Sequence, residues 1–549
     1  MPVTLPNPFY YLDNFQLVLD WITQRYSDLL SSEELNFIAT FRALPQASRA
    51  LLVRMVMRKG TLFRAGKLCY DEIACPDHAA LPLLEQGWLV RDPVMTLDEI
   101  FGLLTKPEIT IIFRLNPVTK AARKQELLEA LRTTFPQARR FSEWHAETDE
   151  CVYQLSIMAM CERLRLMFFG NLYQDWSEFV LSDLGIYRYE QVEFSPSSRG
   201  FLCRQQVDDY LHLHRCRERL DQGDCPDDIL LDIPLTPFEN TWLEGRRNKL
   251  LFRFAQQYER SMEWQNALDI YRRCSYRGAR LRAIRVLERR EEIDAACDLA
   301  KIAFDAPENE AEQQALLRIL PRLQRKLGFA RSLPAKPPAV ERIDLRLPYP
   351  AQATTVEHIV CAHYSCDHAP VMYVENTLIN SLFGLLCWQA IFAPLPGAFF
   401  HPFHHGPADL HRSDFHQRRA ELFAACLSQL DSELYRQTIV DNFHAKQNMQ
   451  SPFVFWSVLD EKLLKLALDC LPAKHLKKWF ERMLRDIPAN RSGFPDLIQF
   501  WPVEKRYRML EVKGPGDRLQ DNQIRWLDYF VDHDMPVAVC YVQWLEGAA

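Results

Sequence analysis

The stretch GFPDLIQFWPVEKRYRMLEVK, residues 493–513, decides the fold of the last part of this chain. It holds two apolar runs separated by a short polar spacer. Alternate side chains of a strand point to opposite faces, so Glu511 and Lys513 share one face of the second run. If the runs pair as an antiparallel hairpin, Asp496 at the start of the first run lies near Glu511. Two hard oxygen ligands and an ammonium would then meet at one place, which suits a magnesium ion that bridges to a phosphate.

A third carboxylate lies in VMYVENTLINSLFGLLCW, residues 371–388, a stretch that predicts a helix. At helical spacing Glu375 shares a face with Ile379, Leu382 and Leu386. A carboxylate there is costly to bury unless it is paired or bound to a cation. The alternative is that Glu375 lies at the edge of the apolar stripe and extends its side chain into water. Beside the Asp–Glu–Lys set, a role as a metal ligand, direct or through water, is favoured.

The composition is that of a globular protein. The chain has 549 residues, 48% hydrophobic and 25% charged, which predicts several domains of about 100–200 residues each. Its first residues do not form a signal peptide, and no stretch is apolar enough to span a bilayer. Fifteen scattered cysteines then predict reduced thiols in a cytoplasmic protein. The net charge of −6 leaves room for a local basic stripe, which is what a nucleic acid requires.

Periodicity and proline content divide the chain into five parts. Helical spacing dominates before residue 335, and Trp264, Ala267, Leu268 and Tyr271 are spaced as in tetratricopeptide (TPR) hairpins, with one repeat legible. A proline cluster follows, and proline favours a linker because it lacks an amide donor. The predicted parts are an N-terminal helical domain (1–75), a two-helix module (76–150), a helical-repeat, TPR-like domain (151–335), a Pro-rich linker (336–350) and a C-terminal α/β domain (351–549).

The two-helix module has the pattern of a DNA-binding helix pair. TKPEITIIFRL, from Thr105, predicts one helix, NPVTKAA predicts a connection, and RKQELLEALRTTF predicts a second helix that ends near Phe135. Basic residues, among them Lys120 and Lys124, surround the second helix. The pair resembles a SAP module. Two ordinary surface helices are the alternative that the pattern leaves open.

A basic block lies within the helical repeats. Between Thr241 and Arg290 there are thirteen basic and five acidic residues, a net charge of +8 in a chain that is negative overall. Such a cluster of charged residues is usually a helix surface that contacts only solvent. With a candidate phosphodiester-cleaving site downstream, a surface that follows a nucleic-acid backbone is at least as well supported. The candidate DNA contacts in this block are Arg272, Arg273, Arg277, Arg280 and Arg282.

One competing metal motif is present. VCAHYSCDHAP offers Cys361, His363, Cys366 and His368 as four possible zinc ligands. Their spacing fits no familiar zinc finger. A reduced, histidine-rich loop is the alternative, and the sequence does not decide between the two.

Four motifs of the last domain together resemble a VRR-NUC domain, a variant of the PD-(D/E)xK restriction-endonuclease fold. Those motifs are Glu375, Pro495-Asp496, Glu511-Val512-Lys513 and Gln523 with Trp526. Upstream, VRMVMRKGTLFR, the SAP-like pair, FFGNLYQDWSEFVLSDLG and the helical repeats are similar to the Fanconi-anaemia-associated nuclease family, in its bacterial type without a ubiquitin-binding zinc finger. The resemblance implies a multidomain protein, mostly α in its N-terminal and repeat regions, that ends in an α/β nuclease domain.

The same resemblance implies a structure-specific nuclease that cuts DNA near 5′ flaps, digests it 5′ to 3′ and helps to unhook interstrand crosslinks. Glu375, Asp496 and Glu511 would be metal ligands, with the Val512 carbonyl completing the shell. An oxygen-only shell suits Mg²⁺ or Mn²⁺. Lys513 would orient or deprotonate the attacking water and stabilise the charge on the phosphate.

Partners follow from these expectations. Branched DNA is the expected partner, bound by a monomer or a DNA-induced dimer that associates with the nucleoid. Gln523, close to the end of the second strand, would touch DNA or the metal-bound water. Two rivals remain: a PD-(D/E)xK junction resolvase, which would usually be a small dimer, and a non-catalytic DNA-binding repeat scaffold in which the carboxylates are structural.

Overall fold

The structure is a computed structural model, and the chain forms two compact units within it. The units are Met1–Tyr187 with Pro196–Asp208, and Arg188–Ser195 with Asp209–Ala549. The residues that the structure describes are 7–114, 122–195, 198–329, 340–350 and 352–545.

Capping side chains and glycine fix the first and last residues of helices in the first unit. Ser31 and Glu34 form a capping box at the start of the second helix. Gly170, with φ of +68°, ends one helix of the FFGNLYQDWSEFVLSDLG stretch, and a second helix begins at Ser177. These helices are α1 (Tyr10–Tyr26), α2 (Ser32–Ala43), α3 (Gln46–Val56), α4 (Pro76–Glu85), α5 (Leu97–Leu103), α6 (Lys106–Ile112), α7 (Lys124–Arg132), α8 (Phe141–Trp144), α9 (Met158–Phe169) and α10 (Ser177–Asp183).

Short strands join these helices. The strand β5 lies between β1 and β2 in an antiparallel sheet, and β3 pairs with β4. Their bounds are β1 (Leu62–Arg64), β2 (Leu89–Arg91), β3 (Val94–Met95), β4 (Arg139–Arg140) and β5 (Val152–Leu155).

The predicted helix pair is confirmed as α6 and α7. Ile109 of α6 and Leu127 and Leu128 of α7 belong to one small buried core. Lys124 turns inward at the start of α7, where its Nζ donates to the Leu104 carbonyl at 2.7 Å. Most of the predicted connection, including Lys120, lies outside the described residues.

Helical repeats are present and extend well beyond the one hairpin legible in the sequence, but the predicted start at residue 151 is wrong, because residues 151–187 and 198–208 belong to the first unit. From α13 onward each helix packs on the next, and their inward residues form one core that includes Phe254, Tyr271, Ile284 and Leu316. The helices of this stretch are α11 (Arg204–Gln222), α12 (Pro226–Asp232), α13 (Thr241–Arg260), α14 (Trp264–Arg272), α15 (Ala279–Arg289), α16 (Ile293–Asp305) and α17 (Glu310–Lys326).

The C-terminal α/β domain is built on a five-stranded mixed sheet of order β6–β10–β9–β8–β7. The strand β10 is parallel to both β6 and β9, whereas β8 is antiparallel to both β9 and β7. The strands are β6 (Glu341–Pro348), β7 (Val371–Tyr373), β8 (Leu497–Trp501), β9 (Arg506–Lys513) and β10 (Val537–Leu545).

The predicted linker is wrong for residues 341–348, which form β6 and pair with β10. Residues 336–339 lie outside the described part of the chain. Alternation explains the strand, because Ile343, Leu345 and Leu347 all contribute to one hydrophobic cluster against the sheet. Proline ends the strand instead of marking a flexible connection.

Helices cover both faces of this sheet. On one face, Trp479, Trp526 and Phe530 pack with Ile498 and Met509. On the other, Val360 packs with residues of β8, β9 and β10. The helices of this domain are α18 (Val356–Tyr364), α19 (Leu378–Leu386), α20 (Trp388–Ile391), α21 (Ala420–Ser428), α22 (Leu434–Ala445), α23 (Glu461–Cys470), α24 (Ala473–Arg485), α25 (Ile487–Asn490) and α26 (Asp521–Asp532). Across the described residues, no helix combines the length and apolar character needed to cross a membrane.

Gly493 is a position in this domain where neighbouring backbone excludes a side chain. Its φ is +99°, and an added Cβ would lie 2.7 Å from the backbone of Asn522 in α26. We expect Gly493→Ala to lower the free energy of unfolding by more than the strain alone, which is about 1–2 kcal/mol, because strain and a backbone clash add. Gly516→Ala is the matched control, since Gly516 has a φ of +89° with nothing within 4 Å of its Cβ position. Urea unfolding of both variants measures the difference, and equal losses would contradict the role of the clash.

Candidate active site

The predicted hairpin is confirmed as β8 and β9. Leu497 pairs with Leu510, which places Asp496 beside Glu511. The Val512 N–H donates to Asp496 Oδ2 at 2.8 Å. Asp496 is therefore fixed to the neighbouring strand by its side chain at the point where strand pairing ends.

The predicted faces of β9 are also confirmed. Leu510 and Val512 pack into the cluster under α18, and the Lys513 ammonium lies 2.7 Å from Glu511 Oε1. Glu511 is fully buried and Lys513 is 8% exposed. A carboxylate and an ammonium thus share one shielded face of the strand.

Glu375 does not lie on a helix, which corrects the prediction. Residues 371–373 form β7, α19 begins only at Leu378, and Glu375 lies in the turn between them. Asn376 has a φ of +51°, a left-handed conformation that a right-handed helix excludes. The turn still brings Glu375 to the site, because the Val374 N–H donates to the Asp496 carbonyl at 2.8 Å.

Burial and like charges shape the electrostatics of the site. Burial, together with the negative charge of Glu375, raises the pKa of Asp496 to about 6. Burial and the charge of Asp496 raise the pKa of Glu511 to about 8. Burial would lower the pKa of Lys513, but Glu511 and Asp496 outweigh it and hold that pKa above its usual value. The three carboxylates carry more negative charge than the one ammonium neutralises.

The chemistry of the donor set fits a divalent cation. Neither oxygen of Glu511 accepts a well-directed hydrogen bond within the described part of the chain, although Lys513 pairs with Oε1 by charge. Buried, unsatisfied carboxylate oxygens beside a second carboxylate are the ligands that Mg²⁺ or Mn²⁺ takes. No three acidic, histidine or cysteine side chains of the described residues already surround a common point.

The Cys–His motif is not gathered into a metal site. Cys361 Sγ lies 3.3 Å from the Val371 carbonyl, and Cys366 Sγ lies 3.5 Å from His368 Nε2. His363 packs against the ring of Tyr364. No three of these described side chains surround a common point, so the geometry favours the reduced loop.

Trp526 is a core residue, as expected. It is 1% exposed, stacks on Phe494 at 4.0 Å, and donates from Nε1 to the Ser492 carbonyl at 3.2 Å. It therefore supports the loop that precedes Asp496. Gln523 uses its Oε1 to accept the Gln520 N–H at 2.9 Å, in the capping box of α26. A contact of Gln523 with DNA stays a prediction.

The basic block is partly neutralised by ion pairs, two of them with acids from outside it. Arg280 pairs with Glu312 at 2.5 Å, Arg277 with Asp486 at 2.9 Å, and Arg282 with Glu259 at 3.3 Å. Arg272 and Arg273, by contrast, are exposed and form no ion pair with any described residue. These two are the candidates in the block whose charge is available to a phosphate.

The sequence did not reveal two side chains that hold Glu375. Tyr373 Oη donates to Glu375 Oε2 at 2.5 Å, and Asn376 Nδ2 donates to Glu375 Oε1 at 3.2 Å. The sequence feature that could have indicated this turn was Asn376, because asparagine tolerates the left-handed conformation. The helical spacing of the apolar residues after Asn376 favoured a helix instead of a turn.

Family models agree with this architecture. The buried carboxylate–lysine hairpin on a mixed sheet defines a nuclease of the VRR-NUC class, and the model of the VRR-NUC domain matches residues 430–544. Two further models match the N-terminal part: "FAN1, HTH domain" over residues 9–90 and "Fanconi anemia-associated nuclease SAP domain" over residues 94–144. The helix-turn-helix assignment was not predicted, whereas the SAP-like pair is confirmed.

Known proteins extend the agreement to the whole chain. It is 58% identical to the Fanconi-associated nuclease 1 homolog of Pseudomonas aeruginosa, covering 98% of this chain and 97% of that one. The Schizosaccharomyces pombe homolog is 23% identical, covering 97% and 91%. A crystal structure of paFAN1 bound to DNA with a two-nucleotide 5′ flap and a gap matches with a TM-score of 0.97 and 57% identity, covering 99% and 100%. The chain belongs to the Fanconi-associated nuclease family, which confirms the resemblance.

The raised pKa of Asp496 predicts an unusual stability effect. Because that pKa is about 6 in the folded protein and 3.8 ordinarily, ionisation opposes folding above pH 6, and this opposition disappears as the pH falls below 3.8. We expect Asp496→Asn to raise the unfolding free energy at pH 8 in EDTA by on the order of 1–3 kcal/mol, and to bring no gain at pH 3.5. Thermal unfolding at the two pH values checks this. Asp517→Asn is the exposed control, and a loss of stability for Asp496→Asn at pH 8 would contradict the expectation.

Proposed function

We propose that this chain is a structure-specific DNA nuclease that cuts near 5′ flaps, digests DNA from 5′ to 3′ and acts in the repair of interstrand crosslinks. The observation that carries the proposal is the buried set of Asp496, Glu511 and Lys513 at the end of the β8–β9 hairpin. The likeness to paFAN1, whose structure holds flap DNA, supports the choice of substrate.

The cation would be held by Glu375, Asp496, Glu511 and the carbonyl of Val512. When bound, Mg²⁺ or Mn²⁺ supplies positive charge that polarises the phosphate and stabilises the charge of the transition state. The residues place these ligands on three different segments: the turn after β7, the start of β8 and the end of β9.

Lys513 supplies the proton chemistry and the second positive charge. Its ammonium lies on the same face as Glu511, at 2.7 Å, and therefore beside the position of the scissile phosphate. As an ammonium, Nζ would orient the attacking water and stabilise a phosphate oxygen. It would accept a proton from that water only in its neutral form, which the positive charge of a bound cation would favour. The largely buried side chain keeps this amine away from bulk water, which strengthens its charge interactions.

Cleavage of a labelled 5′ flap tests the assignment. We expect Asp496→Ala and Glu511→Gln each to lower the rate in Mg²⁺ by at least about 100-fold, because a lost metal ligand removes several kcal/mol of transition-state stabilisation. Flap binding measured in EDTA should persist. Glu504→Gln, in the exposed turn of the same hairpin, is the control and should cut at the wild-type rate.

The same assay separates the rival functions. A repeat scaffold would bind the flap without cutting it in Mg²⁺ or Mn²⁺. A junction resolvase would cut a four-way junction symmetrically in preference to the flap. Either result with the wild-type protein would overturn the proposal.

Exposed basic residues of the repeats would contact the DNA backbone. We expect Arg272→Ala to weaken flap binding and to lower the slope of log K against log salt concentration by about one unit, since one phosphate contact is lost. Arg273→Ala should act similarly. Lys301→Ala, in α16 and paired with Asp298 at 3.3 Å, is the control. An unchanged slope for both arginine variants would remove this surface from the DNA path.

A further inference from the structure

The carboxylates of Glu375 and Asp496 come from segments far apart in the chain, and two asparagines join those segments. Asn376 Oδ1 accepts the N–H groups of Gly493 and Phe494, at 2.7 and 3.1 Å. The residues it joins are 117 and 118 positions apart in the sequence. One amide oxygen thus anchors the loop that leads into Asp496 to the turn that holds Glu375.

The second asparagine repeats this connection one helical turn later. Asn380, in α19 and 1% exposed, donates from Nδ2 to the Asn376 carbonyl at 2.7 Å and to the Arg491 carbonyl at 2.8 Å. The same two segments are therefore joined twice. Asn376 and Asn380 are called the asparagine clamp below.

The clamp also reaches a carboxylate directly. Asn376 Nδ2 donates to Glu375 Oε1 at 3.2 Å, while its Oδ1 holds the loop before Asp496. A single side-chain amide therefore uses its donor on one carboxylate-bearing segment and its acceptor on the other. Its backbone φ of +51° aims the side chain back across the turn, a conformation that asparagine tolerates better than most residues.

We propose that Asn376, supported by Asn380, is a positioning residue that sets the separation of the Glu375 and Asp496 carboxylates and thereby the affinity of the cation site. The proposal rests on the metal site proposed above. Hydrogen bonds that orient ligand carboxylates typically change metal affinity by about 10–100-fold when they are removed. The hydrogen bonds of the clamp go to the Glu375 side chain and to backbone groups of the two carboxylate-bearing segments, so its effect should fall on cation binding.

Asn376→Gly is the decisive variant, because glycine adopts the left-handed conformation freely and loses only the side-chain bonds. Isothermal titration with Mn²⁺ should show affinity weakened by about tenfold. Flap cleavage should recover as the Mn²⁺ concentration rises, and flap binding in EDTA should stay at the wild-type level. A purely structural role for Asn376 would not produce recovery by metal.

Asn448→Gly is the matched control, since Asn448 also has a positive φ, of +62°, in an exposed turn of the same unit. It should bind Mn²⁺ as tightly as the wild type. If Asn376→Gly does not fold, Asn380→Ala provides the test, because it removes the second connection from within a helix, where alanine is favourable. A folded Asn380→Ala with weakened Mn²⁺ binding would support the clamp.

The outcomes separate the clamp from the nuclease function. Wild-type Mn²⁺ affinity in a folded Asn376→Gly, or in Asn380→Ala where that variant provides the test, overturns the clamp and leaves the nuclease proposal standing. A wild-type chain that cuts flaps but binds no Mn²⁺ overturns the metal site and the clamp together.

Discussion

The register of β8 against β9 is the constraint on which the active site depends. With Leu497 opposite Leu510, Asp496 lies beside Glu511 and accepts the Val512 N–H. A shift by one residue would turn Glu511 and Lys513 to the opposite face of the sheet and expose Leu510 and Val512 to the polar side. Buried clusters on both faces of the sheet oppose that shift. Hydrophobic packing thus fixes the position of the polar residues.

The site holds ionisable groups where burial opposes their charge. Burial raises the pKa values of Asp496 and Glu511, so the folded chain carries carboxylates in a place that disfavours their ionised form. Lys513 offsets part of that penalty, and a divalent cation would offset more. The fold loses stability here by burying ionisable side chains, a common feature of functional sites. The surrounding tryptophans and the clamp keep this destabilised region in one conformation.

Local patterns explain which parts of the site the sequence could reveal. The hairpin and the faces of β9 follow from alternation, which a few neighbouring residues encode. Glu375 was placed on a helix because the apolar spacing after it is helical, whereas the left-handed Asn376 separates it from α19. The strand β6 was missed because the prolines around it favoured a linker over the alternation of Ile343, Leu345 and Leu347, and because its partner β10 lies about two hundred residues later. Likewise, a count of arginines could not show that Glu312 and Asp486 neutralise two of them.

The position of β10 has a consequence for biosynthesis. This strand lies between β6 and β9, so it closes the sheet that carries the site, yet of the described strands it is the last to leave the ribosome. A nascent chain already contains Glu375, Asp496, Glu511 and Lys513 before β9 has its second neighbour. Because long-range parallel pairing forms late, the hairpin has no complete support until translation reaches residue 545. A chain shortened before β10 would therefore hold the residues proposed for catalysis without the strand that supports their alignment.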